Sequence, residues 1–329
     1  MKRKYSYTHF VWLLAGMLLV SACEEDEYAL PTLEKGLQND AIKRTLGPNM
    51  VGLDIEFAYA MAIPENEGRL TSVRVEASIP GAAQTKLENN GYHTDGSGND
   101  IPTLMGEPAT TEGGVSQMTF TKDTVAATIR YYYVIPEEAR GQSVSFTFSA
   151  TASNGQTVSY KMGPYKIANM DMVRNLTAVN NGTCYISIAD MTIYNAAEAA
   201  ANPDKIDLVY LYRSTPSAFA HALVSPAADP QYLPGVTLPA GVTKSTRISK
   251  AWSVKDFHLA QSEVGVYIDD VDFEVLNIST TPNYATNMKA ESGAWVETAD
   301  GQYRAYIYVN AVSNGGASMT LSMKRLRVN

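Results

Sequence analysis

The residues with the clearest chemical potential lie in a predicted hairpin near the carboxyl end of the chain. Asp300-Gly301 is a type I′ turn signal between two strand-like segments. A two-residue loop there pairs Glu297 with Arg304, and side chains alternate across each strand. Five side chains then share one face of the hairpin: Trp295, Glu297, Arg304, Tyr306 and Tyr308.

Three aromatic rings beside an ion pair suit the binding of sugars. Pyranose rings present apolar C–H faces rimmed by hydroxyl groups, which aromatic planes and charged groups complement. We therefore predict a ligand-binding site on this face. The alternative is that the face packs under a long loop predicted at 214–260 or against the first domain. Cross-strand aromatic pairs also stabilise hairpins by themselves, by roughly 0.2–1 kcal/mol each.

A second cluster of reactive side chains lies in the acidic segment 269–274. If this segment is a strand, Asp270, Asp272 and Glu274 share a face. Paired carboxylates can hydrolyse glycosidic bonds or hold a cation, but a solvated acidic edge is the expected outcome. The loop 95–100 has oxygen ligands but lacks the later glutamate of an EF-hand, so it predicts a turn.

Catalytic and cofactor motifs are missing from the sequence. HExxH, GxSxG, P-loop and GxGxxG patterns do not occur, and no histidine has a partner at ligand spacing. We therefore predict a protein that is not an enzyme, with no metal site and no cofactor.

Period-two alternation of apolar residues predicts the elements of the first domain. It runs through 53–63, 73–79, 125–135 and 144–150, and Asn154-Gly155 predicts a type I′ hairpin turn after it. The stretch between Ile79 and Val115 predicts a loop, because it is rich in Gly, Asn, Thr and Pro. These patterns predict an antiparallel β-sandwich over residues 48–168, with Arg130 and Tyr132 as a weaker outward-facing set.

The second half, residues 169–329, predicts another β-rich domain with long loops. Strands are expected at 184–188, at 206–212 as a central strand, and near 303–311 and 318–327. An alanine-rich run at 196–201 predicts a short helix. The predicted fold class is all-β, with two antiparallel sandwich-like domains.

Composition agrees with a globular protein and excludes some partners. Of 329 residues, 45% are hydrophobic and 18% are charged, which suits two ordinary domains. The net charge of −8 includes three positive charges at residues 2–4, so the chain beyond them is more acidic still. Such a chain is unsuited to nucleic acid, whose binding requires Lys and Arg.

The amino terminus predicts export. Lys2, Arg3 and Lys4 precede an apolar run over 10–20, and small residues then lead to Cys23. Residues 1–22 are the predicted signal peptide. The other cysteine, Cys184, lies in an apolar run and is expected to be a small buried hydrophobe.

The sequence Leu19-Val20-Ser21-Ala22-Cys23 resembles a bacterial lipobox, and the acidic run 24–27 resembles the export tag of Bacteroidetes surface lipoproteins. The segment 205–212 and the later 222–226 are similar to a module of these lipoproteins, which often follows an immunoglobulin- or fibronectin-like domain. The resemblance implies an immunoglobulin-like first domain, lipidation at Cys23 and outer-membrane anchoring at the cell surface. The charges, Pro31 and Gly36 that follow Cys23 predict a tether over 23–47. It also implies a polysaccharide-related role and outer-membrane protein partners.

Three functions remain open. The first is a non-catalytic surface protein that binds polysaccharide or another glycan. The second is a pilin or adhesin subunit of the Bacteroidetes type, in which cleavage after an arginine frees a groove for strand addition, with Arg44 as the candidate. The third is a glycan hydrolase that uses the acidic segment.

Overall fold

The computed structural model describes residues 35–262 and 264–328. The predicted signal peptide, Cys23 and the acidic run 24–27 lie outside the described residues. Within the described part the chain is built almost wholly of antiparallel strands, which confirms the predicted all-β class. None of the helices in this part has the length and apolarity needed to cross a bilayer.

The first half of the described chain is a β-sandwich of two five-stranded sheets. One sheet has the order β1-β2-β8-β4-β5 and the other β10-β9-β3-β7-β6. The strands are β1 (Gln38–Lys43), β2 (Asp54–Ala62), β3 (Leu70–Ala77), β4 (Lys86–Thr94), β5 (Asp100–Leu104), β6 (Thr110–Glu112), β7 (Val115–Thr119), β8 (Ala126–Val134), β9 (Ser143–Ala152) and β10 (Thr157–Lys166). A 3₁₀ turn spans Glu137–Ala139.

Alternation determines which face of each strand is buried in this half. In β2, Ile55, Phe57 and Tyr59 are fully buried, because their side chains point between the sheets. Phe57 packs 4.7 Å from Phe146 and 5.2 Å from Phe148 between ring centroids. These rings form the centre of the first core. The immunoglobulin-like assignment of this sandwich stays a prediction.

The second half has two further five-stranded sheets, in the orders β11-β20-β19-β18-β16 and β13-β12-β14-β15-β17. Its strands are β11 (Met170–Val179), β12 (Tyr185–Ser187), β13 (Thr192–Tyr194), β14 (Leu208–Arg213), β15 (Ala220–Val224), β16 (Arg247–Trp252), β17 (Tyr284–Met288), β18 (Ser292–Glu297), β19 (Tyr303–Ser313) and β20 (Ser318–Arg327). Its helices are α1 (Ala196–Ala201), α2 (Phe257–Ala260) and α3 (Asp270–Glu274), and 3₁₀ turns span Pro203–Lys205 and Pro230–Tyr232.

Several predictions for the second half are confirmed. The apolar run 206–212 forms β14, the central strand of its sheet. The helix at 196–201 forms as α1, because Asn195 accepts from the amides of Ala197 and Glu198 while the Glu198 carboxylate accepts from the Asn195 amide. Cys184 is a buried free thiol, and burial raises its pKa to about 11.

Three segments predicted to be loop or tether contain strands. The stretch between Ile79 and Val115 holds β4, β5 and β6, and the segment 214–260 holds β15, β16 and α2. The tether predicted to reach residue 47 includes β1, which pairs with β2 along its whole length. Alternation failed for β5 in particular, because both of its faces are largely exposed and no apolar period results.

The two predicted type I′ turns have another geometry. Gly155 and Gly301 have positive φ angles of 85° and 69°, whereas the preceding Asn154 and Asp300 do not have positive φ. A type I′ turn requires positive φ at both central residues. Each loop instead carries a single left-handed glycine. The predicted pairing is preserved between β18 and β19, where Glu297 pairs with Arg304. Between β9 and β10 it is shifted by one residue, because Thr157 pairs with Thr151 and a two-residue loop would pair it with Ala152.

A third apolar cluster joins the two halves of the described chain. Met50 from the first half is 1% exposed and packs in one cluster with Phe273, Tyr306 and Leu326 from the second half. Arg140 pairs with Asp171 at 2.8 Å across the same junction. Lys166 also pairs with Asp270. The junction is therefore a packed interface and not a free linker.

Candidate functional site

The predicted hairpin forms with the predicted register. Trp295 pairs with Tyr306, Val296 with Ala305, and Glu297 with Arg304. Trp295 and Tyr306 rings lie 4.6 Å apart, and the Arg304 Nε lies 2.9 Å from a Glu297 oxygen. The predicted grouping of Trp295, Glu297, Arg304, Tyr306 and Tyr308 on one face of the hairpin is therefore confirmed.

The aromatic part of the predicted site is nevertheless wrong, because this face is covered. Tyr306 is fully buried and Tyr308 is 4% exposed. The segment 254–273 lies over them, and its Leu259, Ile268 and Phe273 fill the shared cluster. The Tyr306 hydroxyl donates to the Val254 carbonyl at 2.6 Å. The face packs beneath a chain segment and against Met50 of the first half, as in the alternative. The covering residues Ile268 and Phe273 nevertheless lie beyond the loop predicted at 214–260.

The ion pair of the hairpin also has a structural role. The Arg304 guanidinium donates to the carbonyls of Phe273 at 2.6 Å and Glu274 at 3.2 Å, the end of α3. Glu297 faces a polar surface cavity of about 720 Å³ at the hairpin tip, together with Arg247, Asn283 and Asp300. Arg304 therefore fastens the covering segment to the hairpin and does not present a charge to a ligand.

The acidic segment is a helix, so the strand-based grouping of Asp270, Asp272 and Glu274 is wrong. Asp269 caps α3 by accepting from the amides of Val271 and Asp272, and the Asp272 carboxylate accepts from the Asp269 amide at 2.9 Å. The reciprocal Asp-x-x-Asp spacing of a capping box was the signal that the strand interpretation missed. Asp270 pairs with Lys166. The carboxylates are engaged in capping and in the junction.

In the loop 95–100 the hydrogen-bond acceptors of the Asp95 carboxylate are used by groups of the same loop. Asp95 accepts from the amides of Ser97 and Asn99, both at 2.8 Å, and from the Asn99 side chain at 3.2 Å. These bonds, led by the Asn99 amide, hold the pKa of Asp95 below its usual range. In the described chain, no three His, Cys, Asp or Glu side chains are grouped where they could share a metal ion.

The strongest candidate site lies elsewhere, on the outer face of the sheet β1-β2-β8-β4-β5. The β4–β5 hairpin folds over this face: Asp100 at the start of β5 contacts Arg130 of β8 and lies 3.5 Å from Arg44, just after β1. Strands are about 4.8 Å apart, so an edge strand reaches the opposite edge only by bending across the sheet. A register shift in β4 between Leu87 and Gly91 provides the bend.

The bent hairpin leaves a trough of about 520 Å³ between itself and β1. This volume falls within the usual range for small-molecule sites. Its floor consists of small or buried apolar side chains: Ala60, Met61, Ala62, Ala126 and Ala127. Its sides carry polar and aromatic groups: Gln38, Asp40, Tyr92, His93 and Thr128, with Gly91 and Met105. Asn39 also lines the trough, but its side chain donates to the Tyr59 hydroxyl in the core. Because the outward residues of β2 at the trough, Ala60 and Ala62, are alanines, the floor lies low and the trough stays open.

The aromatic wall of the trough is held in place. The Arg130 guanidinium lies 4.1 Å from the Tyr92 ring centroid, and the Tyr92 hydroxyl donates to Glu88. The bond to Glu88 raises the pKa of Tyr92 to about 12, with burial adding to it. Arg130 and Tyr132, the weaker outward set, lie on this face, with Lys86 over the Tyr132 ring at 4.7 Å. A fixed ring beside an apolar floor can stack on a sugar without losing rotamer freedom.

The comparisons with known proteins place the chain in a family. The family model described as a domain of unknown function, DUF4466, matches residues 34–167, and DUF8576, also a domain of unknown function, matches residues 168–328. A crystal structure of a DUF4466 family protein from Parabacteroides merdae is 45% identical, with a TM-score of 0.83. The match covers 89% of this chain and 99% of that one. The chain belongs to the DUF4466 family.

Other similarities to this DUF4466-family protein are remote. The self-complemented fimbrial subunit MyfA of Yersinia enterocolitica, in complex with galactose, is 9% identical with a TM-score of 0.23, and 40% of this chain and 98% of that one are covered. A fragment of the major pilin GBS80 of Streptococcus agalactiae is also 9% identical, with a TM-score of 0.29 and coverages of 87% and 91%. Neither carries an argument about function. No curated protein matches the chain.

Proposed function

We propose that this DUF4466-family protein is a non-catalytic surface lipoprotein that binds a glycan chain in the trough. The observation that carries the proposal is the combination of an open apolar floor with a fixed aromatic wall, Tyr92, and polar groups along β1. Sugar rings need an apolar surface for their C–H faces and polar partners for their hydroxyls. The side walls supply amide, carboxylate, imidazole and hydroxyl groups.

The charges of the trough favour a neutral sugar. Among its described lining residues Asp40 is the one carboxylate, and there is no lysine or arginine. A polymer of uronic acids or sulfated sugars would meet Asp40 without a cation to compensate, whereas a neutral glycan loses nothing. We therefore expect neutral plant or host polysaccharides as ligands.

Filling the floor tests this proposal. The test protein is residues 23–329 with Cys23→Ser, run in affinity gels with soluble neutral polysaccharides. Ala60→Trp places an indole in the trough at an exposed position and should reduce retardation at least tenfold. Ser159→Trp, exposed on β10 of the other sheet, is the matched control and should leave it unchanged. Unchanged binding by Ala60→Trp would refute the trough as the binding site. Absence of retardation by every neutral polysaccharide tested would refute the proposed binding of neutral glycans.

Membrane attachment is a separate part of the proposal, supported by the signal and lipobox-like sequence before Cys23. Burial of an acyl chain in the membrane contributes about 0.8 kcal/mol of binding free energy per CH₂. A multiply acylated cysteine would therefore hold the protein firmly on the outer membrane. The full-length protein should fractionate with outer membranes, and Cys23→Ser should release it. Unchanged membrane association of Cys23→Ser would contradict lipidation at this residue.

A pilin or adhesin role is the second candidate, and β1 is the observation that favours it. β1 is an edge strand that ends at Lys43, directly before Arg44, and its Ala41 is buried in the first core together with Leu37. Loss of the chain up to Arg44 would expose the edge of β2 for addition of a donor strand. It would also remove one wall of the trough, so the two functions exclude each other at this site. Mass spectrometry of the surface protein distinguishes them, because a pilin should begin at Thr45.

A further inference from the structure

The second half of the chain carries an exposed aromatic surface that the trough does not explain. Trp252, at the end of β16, is 54% exposed, whereas every other aromatic ring of Phe, Tyr or Trp in the described chain is buried or half-buried. Trp252 therefore keeps much of its surface in water, where an indole can stack on a ligand. Its position at a strand end, beside the edge of the sheet, leaves it open to a ligand.

Lys250 fixes this ring and supplies a positive charge. The Lys250 ammonium lies 4.3 Å from the Trp252 ring centroid and donates to the carbonyls of Thr286 and Asn287, both at 2.7 Å. Carbonyls orient the ammonium but do not neutralise it. The indole is therefore a rigid platform next to an uncompensated charge.

A second cation lies beside the first. Lys289 is exposed and lies two residues after Asn287, whose carbonyl accepts from the Lys250 ammonium. Burial lowers the pKa of Lys250, and the charge of Lys289 lowers it further. Within the described residues no carboxylate lies within 4.0 Å of either ammonium, and the neighbouring Glu291 is paired with Lys255 at 2.6 Å. A chain with a net charge of −8 thus keeps two unpaired cations together.

We propose that Trp252, Lys250 and Lys289 form a binding surface for acidic saccharides, meaning sugar chains that carry carboxylate or sulfate groups. The sugar ring would stack on the indole, and its anionic group would lie between the two ammonium groups. The trough is built for a neutral glycan, so this surface is a second site with a different ligand class. It does not depend on the trough being occupied.

Binding to charged polymers tests the proposal. Residues 23–329 with Cys23→Ser are passed over immobilised chondroitin sulfate and polygalacturonate at low salt, with dextran as the neutral reference. The protein should bind at least one acidic polymer and release it as salt rises, because exposed charges are screened. Trp252→Ala should weaken binding at least tenfold, Trp252→Phe less, and Lys289→Gln several-fold at low salt. Lys161→Gln, an exposed lysine on β10, is the matched control and should change nothing.

Other outcomes overturn the proposal. Absence of binding to both acidic polymers by the parent protein would do so, as would equal binding by Trp252→Ala with an unchanged melting temperature. Stronger binding to phosphatidylglycerol vesicles than to either polymer would assign the surface to a membrane instead. Ala60→Trp separates the two sites, since it should leave acidic-polymer binding intact. If it abolished that binding, the Trp252 surface would not be an independent site.

Discussion

Lys324→Met should strongly destabilise the second half of the chain, because Lys324 forms a buried ion pair. Lys324 and Asp256 are both 0% exposed, and the ammonium donates to Asp256 at 2.6 Å and to the Ile268 carbonyl at 2.8 Å. The other partners of Asp256 are the amides of His258, Leu259 and Ile268 at 2.7 to 3.0 Å. The pair therefore holds the covering segment over the aromatic hairpin face.

The expected loss of unfolding free energy is about 3–5 kcal/mol, the usual effect of removing one partner of a buried pair. Methionine leaves a buried carboxylate without its cation and the Ile268 carbonyl without its donor. The surface pair Lys205–Asp190, with Lys205 47% exposed, provides the control. Lys205→Met should change the free energy of unfolding by no more than about 1 kcal/mol.

Urea unfolding followed by Trp295 fluorescence measures this loss. A Trp252→Phe background leaves Trp295 as the only tryptophan after residue 22, and the Trp295 ring centroid lies 5.5 Å from that of Phe273 in the covering segment. The midpoint should fall at an unchanged slope. A loss below about 1 kcal/mol for Lys324→Met would refute the reasoning that this pair anchors the cover.

Two further predictions follow from the same region. Burial lowers the pKa of His258 to about 4, so the unfolded chain binds the proton first and stability should fall by up to about 3 kcal/mol as pH drops from about 6.5 to 4. His258→Gln should lose that part of the pH dependence in urea titrations, and an unchanged slope would contradict it. Gly293→Ala should lower stability by about 1–3 kcal/mol, because its Cβ would overlap the Tyr306 hydroxyl. Thermal melting checks this, and an unchanged melting temperature for Gly293→Ala would contradict the clash. Gly301→Ala, at a left-handed glycine in open space, is the comparison that measures the cost of a backbone angle without a clash.

The sequence predicted local pairing well because local rules determine it. Asp300-Gly301 set the register of β18 and β19, and alternation assigned Trp295 and Tyr306 to the same face. Alternation says which residues share a face, but not what lies over that face. The covering segment comes from residues 254–273, far enough along the chain that its packing depends on tertiary contacts.

The trough was missed for the opposite reason. Its wall is a hairpin that bends over the outer face of the sheet, so β5 has no buried face to produce a period. Its floor is a row of alanines, which the sequence shows only as the small residues of an alternating strand. The contact between Asp100 and Arg130, 30 residues apart, depends on the bulge in β4 and has no local signal.

The burial of Met50 against the second domain affects whether the two domains can be separated, by truncation or by recombination. The family models divide the chain between residues 167 and 168, yet the apolar cluster of Tyr306 and Phe273 is completed by a residue from the other side of that line. Cutting there would strip a buried methionine from the second domain, a loss of about 2–5 kcal/mol by analogy with large-to-small core changes. The division between the two family models is therefore a boundary in the sequence, but we expect the two domains to unfold together, because they share an apolar cluster. The Parabacteroides relative, matched over 99% of its length, spans the same line. Recombination that exchanged one domain alone would have to rebuild the shared core.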